Sequence, residues 1–271
     1  MRSVMALARI TFREGIRNRS LYGILLLALF LLGLNIAVAG FFMRDLGKVT
    51  VDMNLSALSF SGLLLVLFVG VNLMAKDIDR KTIHLVLSKP ISRGQYIWGK
   101  YIGIQLFVLA SMLLLLIFSL VTVTLLKNIY PNFFGSFSWG VFGLACLFVY
   151  VKTSVLSAIV VFFSAITTSS FVTLIFSISS YFVGVTIEEV VFYMRSELAA
   201  NDVVISETLE SFISVVSYLI PNLSVLDFSL EAAHGLAVEI SRVLLSLGYA
   251  GGYIIFLLLA ASLIFSRREF N

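Results

Sequence analysis

Charge is what this 271-residue chain has least of: Asp, Glu, Lys and Arg together make up 13% of it, against roughly 25% in soluble domains. Hydrophobic residues fill 60% and mean hydropathy is +1.05, which excludes an ordinary soluble domain and indicates an all-α, polytopic membrane protein. The single cysteine, Cys146, excludes an internal disulfide and a thiol metal cluster. The two histidines, His84 and His234, are expected on opposite sides of the membrane and have no partner at ligand spacing, so no metal site is expected. Gly99-Lys100 is followed by Tyr101, where a phosphate loop has Ser or Thr, so no nucleotide cofactor is expected on this chain. Neither GxSxG nor HExxH occurs, and the apolar runs carry no paired carboxylates; hydrolase and proton-driven mechanisms lack their usual residues.

Six apolar runs are long enough to cross a bilayer, which takes about 20 residues in a helix: Leu21 to Met43, Leu55 to Ala75, Tyr101 to Leu126, Trp139 to Ile166, Phe171 to Ile187 and Val243 to Phe265. The N-terminus is not read as a cleaved signal, because a basic stretch precedes a first run long enough to span. The net charge of +4 has a topological cause rather than a nucleic-acid one. Arg residues before the first run, six Lys and Arg in the 76–100 loop, and Arg267 and Arg268 after the last all fall on one side. The positive-inside rule then places both termini in the cytoplasm of a multi-pass inner (cytoplasmic) membrane protein.

Residues 1–20 form a separate element ahead of the 21–271 transmembrane domain. At about 100° per residue, Arg2, Arg9, Arg13 and Arg17 gather on one face and Val4, Leu7, Ala8, Thr11 and Phe12 on the opposite one. That is the pattern of an interfacial amphipathic helix in contact with membrane lipid. The charged island Lys76 to Lys100 lies between two uncharged runs. Ile78, Thr82, Leu85 and Val86 recur at helical spacing and Asp77 is placed to meet Lys81, so a short cytoplasmic helix is expected over 77–87. Pro90 stops it near Ser88 or Lys89, and Ser92 with Gln95 forms a capping box for the next helix.

The segment 188–242 is acidic, with nine Asp and Glu against two Arg. Ile205, Leu209, Phe212, Ile213 and Val216 trace an amphipathic helix ending before Pro221, and Asp227 or Ser229 is suited to cap another; an external helical segment between spans five and six is expected. Lys152 is the one ionisable residue well inside a run. Two readings are open for it: an intramembrane functional residue, or a lysine snorkelling to the surface because Trp139 to Tyr150 lies along the outer interface. Ser61, Gly62, Gly70 and Asn72 in the second run are small or hydroxyl-bearing or polar and suit close helix approach, between subunits or within one.

The chain resembles the ABC-2-type permeases, especially those grouped with copper-enzyme maturation permeases, over nearly its whole length. The resemblance is carried by RNRSLYG (Arg17 to Gly23), the 76–100 loop, FFSAITTSSF, YLIPNLSVLDF and the terminal FSRREF, and most of all by Ser88, Pro90, Ile91, Ser92, Arg93, Gly99 and Lys100. It implies a six-span membrane subunit of an ATP-binding-cassette transporter, acting as a homodimer or heterodimer. ATP and Mg would be bound by a separate ATPase subunit, docked through a coupling helix between spans two and three. The docking residues it implies are Asp77, Asp79, Arg80, Lys81, Thr82, Ile83, His84, Leu85, Ser88, Pro90 and Arg93. Where the family often has an acidic residue followed by Gly-Thr, this chain reads Asp79-Arg80-Lys81-Thr82. A membrane scaffold whose acidic outer segment binds an external protein is the alternative, and a secondary transporter using Lys152 a third.

Overall fold

The computed structural model describes residues 2–39, 41, 45–74, 91–195, 213–215, 217 and 220–267. Among these the chain is helical throughout, in eight α-helices and two short 3-10 turns: α1 (Arg2–Ile16), α2 (Arg19–Ala39), α3 (Leu46–Met74), α4 (Arg93–Ile129), α5 (Trp139–Ile166), α6 (Ser170–Arg195), α7 (Ser229–His234) and α8 (Ile240–Arg267). Six of these, α2 to α6 and α8, are long and apolar enough to cross a membrane. Four of the helices extend beyond their apolar runs, α3 starting nine residues before Leu55 and α4 beginning at Arg93, whereas α2 ends at Ala39, short of Met43. Only α5 coincides with its run, because Ser138 and Thr167 flank it in extended backbone.

Centrality follows from burial. The most apolar stretch of α5 is 78% buried and that of α3 67%, against 28% for α2 and 22% for α8. The core is thus α5 and α3, with α4 across them and the other spans outside. In α3 the hydrogen-bond ladder widens to a π-helical turn over Leu65–Gly70, a local rearrangement that recurs at functional sites.

α4 carries the capping box expected for it: Gln95 N donates to Ser92 Oγ (3.2 Å) and Ser92 N to Gln95 Oε1 (3.2 Å). Its 37 residues span about 55 Å at 1.5 Å each, well beyond the roughly 30 Å hydrocarbon core. The excess at its N-terminal end is where α1 packs. At the opposite end Phe134, Phe137, Trp139 and Phe142 form a cluster of edge-to-face and tilted contacts, and Tyr130 meets Phe133 edge to face; Lys127 lies 5.2 Å from the Phe137 ring and 5.4 Å from Trp139.

The described part of the linker between α6 and α8 packs into the bundle. Residues 221–234 fold back among the spans, with Leu223, Leu226, Phe228 and Ala232 buried. Leu223 N donates to Gly184 O of α6 (2.7 Å), Ser224 Oγ to Val185 O (2.7 Å), and Ser246 Oγ of α8 to Val225 O (3.2 Å). Gly184 is needed there, since a Cβ would lie 2.6 Å from Pro221 O. The segment reverses at Gly235, whose φ of 66° takes the left-handed conformation at the end of α7 and whose Cα abuts Ser136 O of the α4–α5 loop. Asp227 does precede a helix, accepting from Ser229 N (3.0 Å), but that helix is only the six residues of α7. Ile205, Leu209, Phe212 and Val216 lie outside the described residues.

Candidate functional site

Two constellations carry polar chemistry into the bundle. The first is at the base, where α4 emerges from the 76–92 loop. Asp77, Asp79, Arg80, Lys81, Thr82, Ile83, His84, Leu85, Ser88 and Pro90 lie outside the described residues; Arg93 does not. Arg93 Nη1 donates to the carbonyls of Phe265 (3.3 Å) and Ser266 (3.0 Å), closing the C-terminal end of α8, whose last carbonyls have no helical donor of their own. One turn on, the buried Tyr96 ring stacks on Phe265 at 5.5 Å and 8°.

Lys100 is 3% exposed and donates from Nζ to Leu73 O at the end of α3 (2.7 Å), with Glu14 Oε2 of α1 at 3.9 Å. Gly99 and Gly103 make the notches that seat α1. A Cβ on Gly99 would lie 2.8 Å from Leu7 Cδ2, and one on Gly103 2.5 Å from Thr11 Cβ and 2.8 Å from Ala8 O. In α1 the same logic runs in reverse, since a Cβ on Gly15 would meet the Phe107 ring at 2.7 Å. Every spaced residue of the S-R-x5-G-K pattern from Ser92 on therefore has a mechanical reason: cap, tie to α8, notch for α1, tie to α3.

This arrangement refines the reading of α1. The face with Leu7, Ala8 and Thr11 is buried against α4 rather than against lipid. Arg9, Arg13 and Arg17 are exposed, Arg2 opens the helix, and the apolar Met5 (52% exposed) and Ile16 (40%) flank the Arg face.

The second constellation is in mid-bundle. Lys152, at the middle of α5, is 6% exposed, so it does not snorkel: Trp139 to Tyr150 is part of the same continuous helix, not an interfacial segment. Its Nζ donates to Asp227 Oδ2 at 3.0 Å, and Asp227 Oδ1 accepts from Ser229 Oγ (2.6 Å) and N (3.0 Å). An isolated charge at this depth is expensive, and an ion pair with further hydrogen bonds offsets that. Beside the pair a cavity of about 410 Å³ opens between α3, α5, α6 and the folded-back segment.

Sequence reasoning missed Asp227 as the partner, because nothing local connects residues 75 apart. The available signal was YLIPNLSVLDF, an apolar stretch inside an otherwise acidic linker. Also missed was a buried polar network in spans that look devoid of ligands. Asn54 Oδ1 accepts from Ser119 Oγ (3.0 Å) and Thr122 Oγ1 (2.7 Å), and both Asn35 and Asn54 donate from Nδ2 to Thr50 O (3.0 and 2.8 Å), joining α2, α3 and α4. Ser61, Gly62 and Gly70 are buried within the subunit, Gly62 against Thr153 of α5, so among the alternatives for them packing inside the chain holds. Among the described residues no three His, Cys, Asp or Glu side chains gather as a metal site.

Six helices long and apolar enough to cross a membrane, with a basic helix locked to the longest of them and a linker folded back among them, define a multi-pass membrane protein. The chain belongs to the family of ABC-2 family transporter proteins, whose model matches residues 5–270. A stretch of 103 residues is 30% identical to the ABC transporter permease protein NatB of Bacillus subtilis (strain 168), covering 37% of this chain and 27% of that protein. The match thus spans about a quarter of that relative's length. By its family the chain is of the ABC transporter membrane-subunit type.

Proposed function

We propose that this chain is moved by ATP hydrolysis on a separate nucleotide-binding subunit, and that the movement drives export of an amphiphilic molecule through or along its spans. The observation that carries this reading is the base of α4. Within eight residues after Ser92, Arg93 ties α4 to α8, Gly99 seats α1, and Lys100 ties it to α3. A push on the 76–92 loop arrives at a capped helix end that is cross-braced to three others. A packed, hydrogen-bonded unit of this kind shifts as a body rather than deforming.

In this reading the ATPase subunit, with its ATP and Mg, docks on Asp77 to Leu85 together with Ser88, Pro90 and Arg93. α1 acts as a second lever at the membrane surface, with Arg2, Arg9, Arg13 and Arg17 toward lipid headgroups. The N-terminal helix, the start of α4 and the end of α8 share one end of the bundle, which supports both termini on one side; the basic bias assigns that side to the cytoplasm of the inner membrane. Exposed apolar side chains on α2, among them Tyr22, Leu26 and Phe30, offer a face for a second permease, identical or not.

The test is co-purification of the ATPase subunit with the wild-type chain and with the double variant Ile83→Glu/Leu85→Glu. The complex is expected with the first and lost with the second. A complex that survives the double variant contradicts docking at this loop, and capture of an external protein by the 188–242 segment without any ATPase favours the scaffold alternative.

A further inference from the structure

The geometry points to the cavity beside Lys152 and Asp227 as a binding site for an organic cation with substantial apolar bulk, an amphiphilic ammonium or onium ion. The inference rests on the transporter function proposed for the chain and names the substrate class that function leaves open. Three features argue for positive charge. The ion pair is oriented: the Lys152 side chain is 7% exposed and that of Asp227 45%, so a ligand entering the cavity meets the carboxylate with the ammonium behind it. The rings of Phe60, Tyr181, Phe182 and Phe228 line the same space, and their negative faces attract cations at short range. Phe228 already holds one cation in this way, with the Arg242 guanidinium 4.7 Å from its ring centre.

Bulk is set by the walls. The space of about 410 Å³ suits a small drug-sized molecule, and Phe60 and Phe182 are 45% and 59% exposed on its rim, giving apolar entry from the side of the bundle. Lys152 and the two donors of Ser229 keep Asp227 ionised and fixed, so the carboxylate is pre-placed before a ligand arrives. An anion would have to displace Asp227 from Lys152 to gain a partner.

The test uses two hydrophobic ions of nearly the same shape and opposite charge, tetraphenylphosphonium and tetraphenylborate. Equilibrium binding to the full-length chain is measured in the uncharged detergent dodecyl maltoside. Saturable binding of the phosphonium, at least tenfold tighter than the borate, is expected. Asp227→Asn should weaken it about tenfold or more. Ser59→Phe, which adds bulk at a lining position of α3 outside the Lys152–Asp227 pair, should do the same and covers the case in which the first variant does not fold. Added phosphatidylcholine that displaces the probe identifies a lipid headgroup as the source of the cation; no displacement identifies a soluble one. Equal affinity for the two ions, or phosphonium affinity unchanged by Ser59→Phe, overturns the assignment. No ATPase subunit is present, so failure here leaves the coupling proposal standing, and failure of docking leaves this binding intact.

Discussion

Replacing Gly103 by alanine adds one methyl group at the point where α1 crosses α4. The new Cβ would sit 2.5 Å from Thr11 Cβ and 2.8 Å from Ala8 O, where carbon contacts settle near 3.5 to 4.0 Å. Neither neighbour is the free end of a flexible side chain, so α1 must lift by about 1 Å as a body. Overpacking of this kind costs about 1 to 3 kcal/mol, less up to about 1 kcal/mol regained from the better helix propensity of alanine. The fold is expected to survive while the seat of α1 is lost. Gly94→Ala is the matched control, since its Cβ would meet nothing within 4 Å.

The assay is ATP turnover by the partner subunit together with substrate export, in lipid vesicles. Gly103→Ala is expected to keep ATPase binding and most turnover but to lower export per ATP several-fold, while Gly94→Ala behaves as wild type. Export per ATP unchanged in Gly103→Ala, with α1 shown to be displaced, would refute the lever role of α1.

The Lys152 and Asp227 pair should show strong coupling in thermal unfolding. Lys152→Met or Asp227→Asn alone is expected to cost about 1 to 3 kcal/mol, below the usual figure for a fully buried pair because Asp227 is half exposed, and the double variant less than the sum. Arg93→Ala frees the Phe265 and Ser266 carbonyls and is expected to cost about 1 to 2 kcal/mol, read as faster hydrogen exchange over the last turn of α8; unchanged exchange there would contradict the tie. Asn54→Leu strips the acceptor from Ser119 and Thr122 and should destabilise by about 2 to 3 kcal/mol without changing export per ATP, a loss of export at unchanged stability being the contrary result.

The spans are legible in the sequence because each is a run of apolar residues with the length a bilayer demands, and α5 is placed to the residue since its flanks turn polar abruptly. The helix extensions are not, because Leu46 to Asn54 and Arg93 to Lys100 interrupt the apolar runs with polar residues, some of which, such as Asn54, Arg93 and Lys100, find partners on other helices. The capping box at Ser92 and Gln95 is readable from spacing alone. The tertiary role of Arg93 is not, since its partners are backbone carbonyls of Phe265 and Ser266, which have no sequence signature. Lys152 stands out as anomalous, but whether it snorkels or pairs depends on where Asp227 goes, and that is set by Gly184, Pro221 and Leu223 meeting across a long linker. The amphipathic face of α1 is equally plain, whereas its partner is hidden, because a helical wheel does not distinguish lipid from the glycine notches of another helix.

The most direct test of the central claim is the ATP turnover of the nucleotide-binding subunit reconstituted with this chain in lipid nanodiscs, wild type against Ile83→Glu/Leu85→Glu. Turnover that rises when the wild-type chain is present and returns to the level of the subunit alone with the double variant is the predicted result. Turnover indifferent to the chain, or equally raised by both forms, would contradict the account.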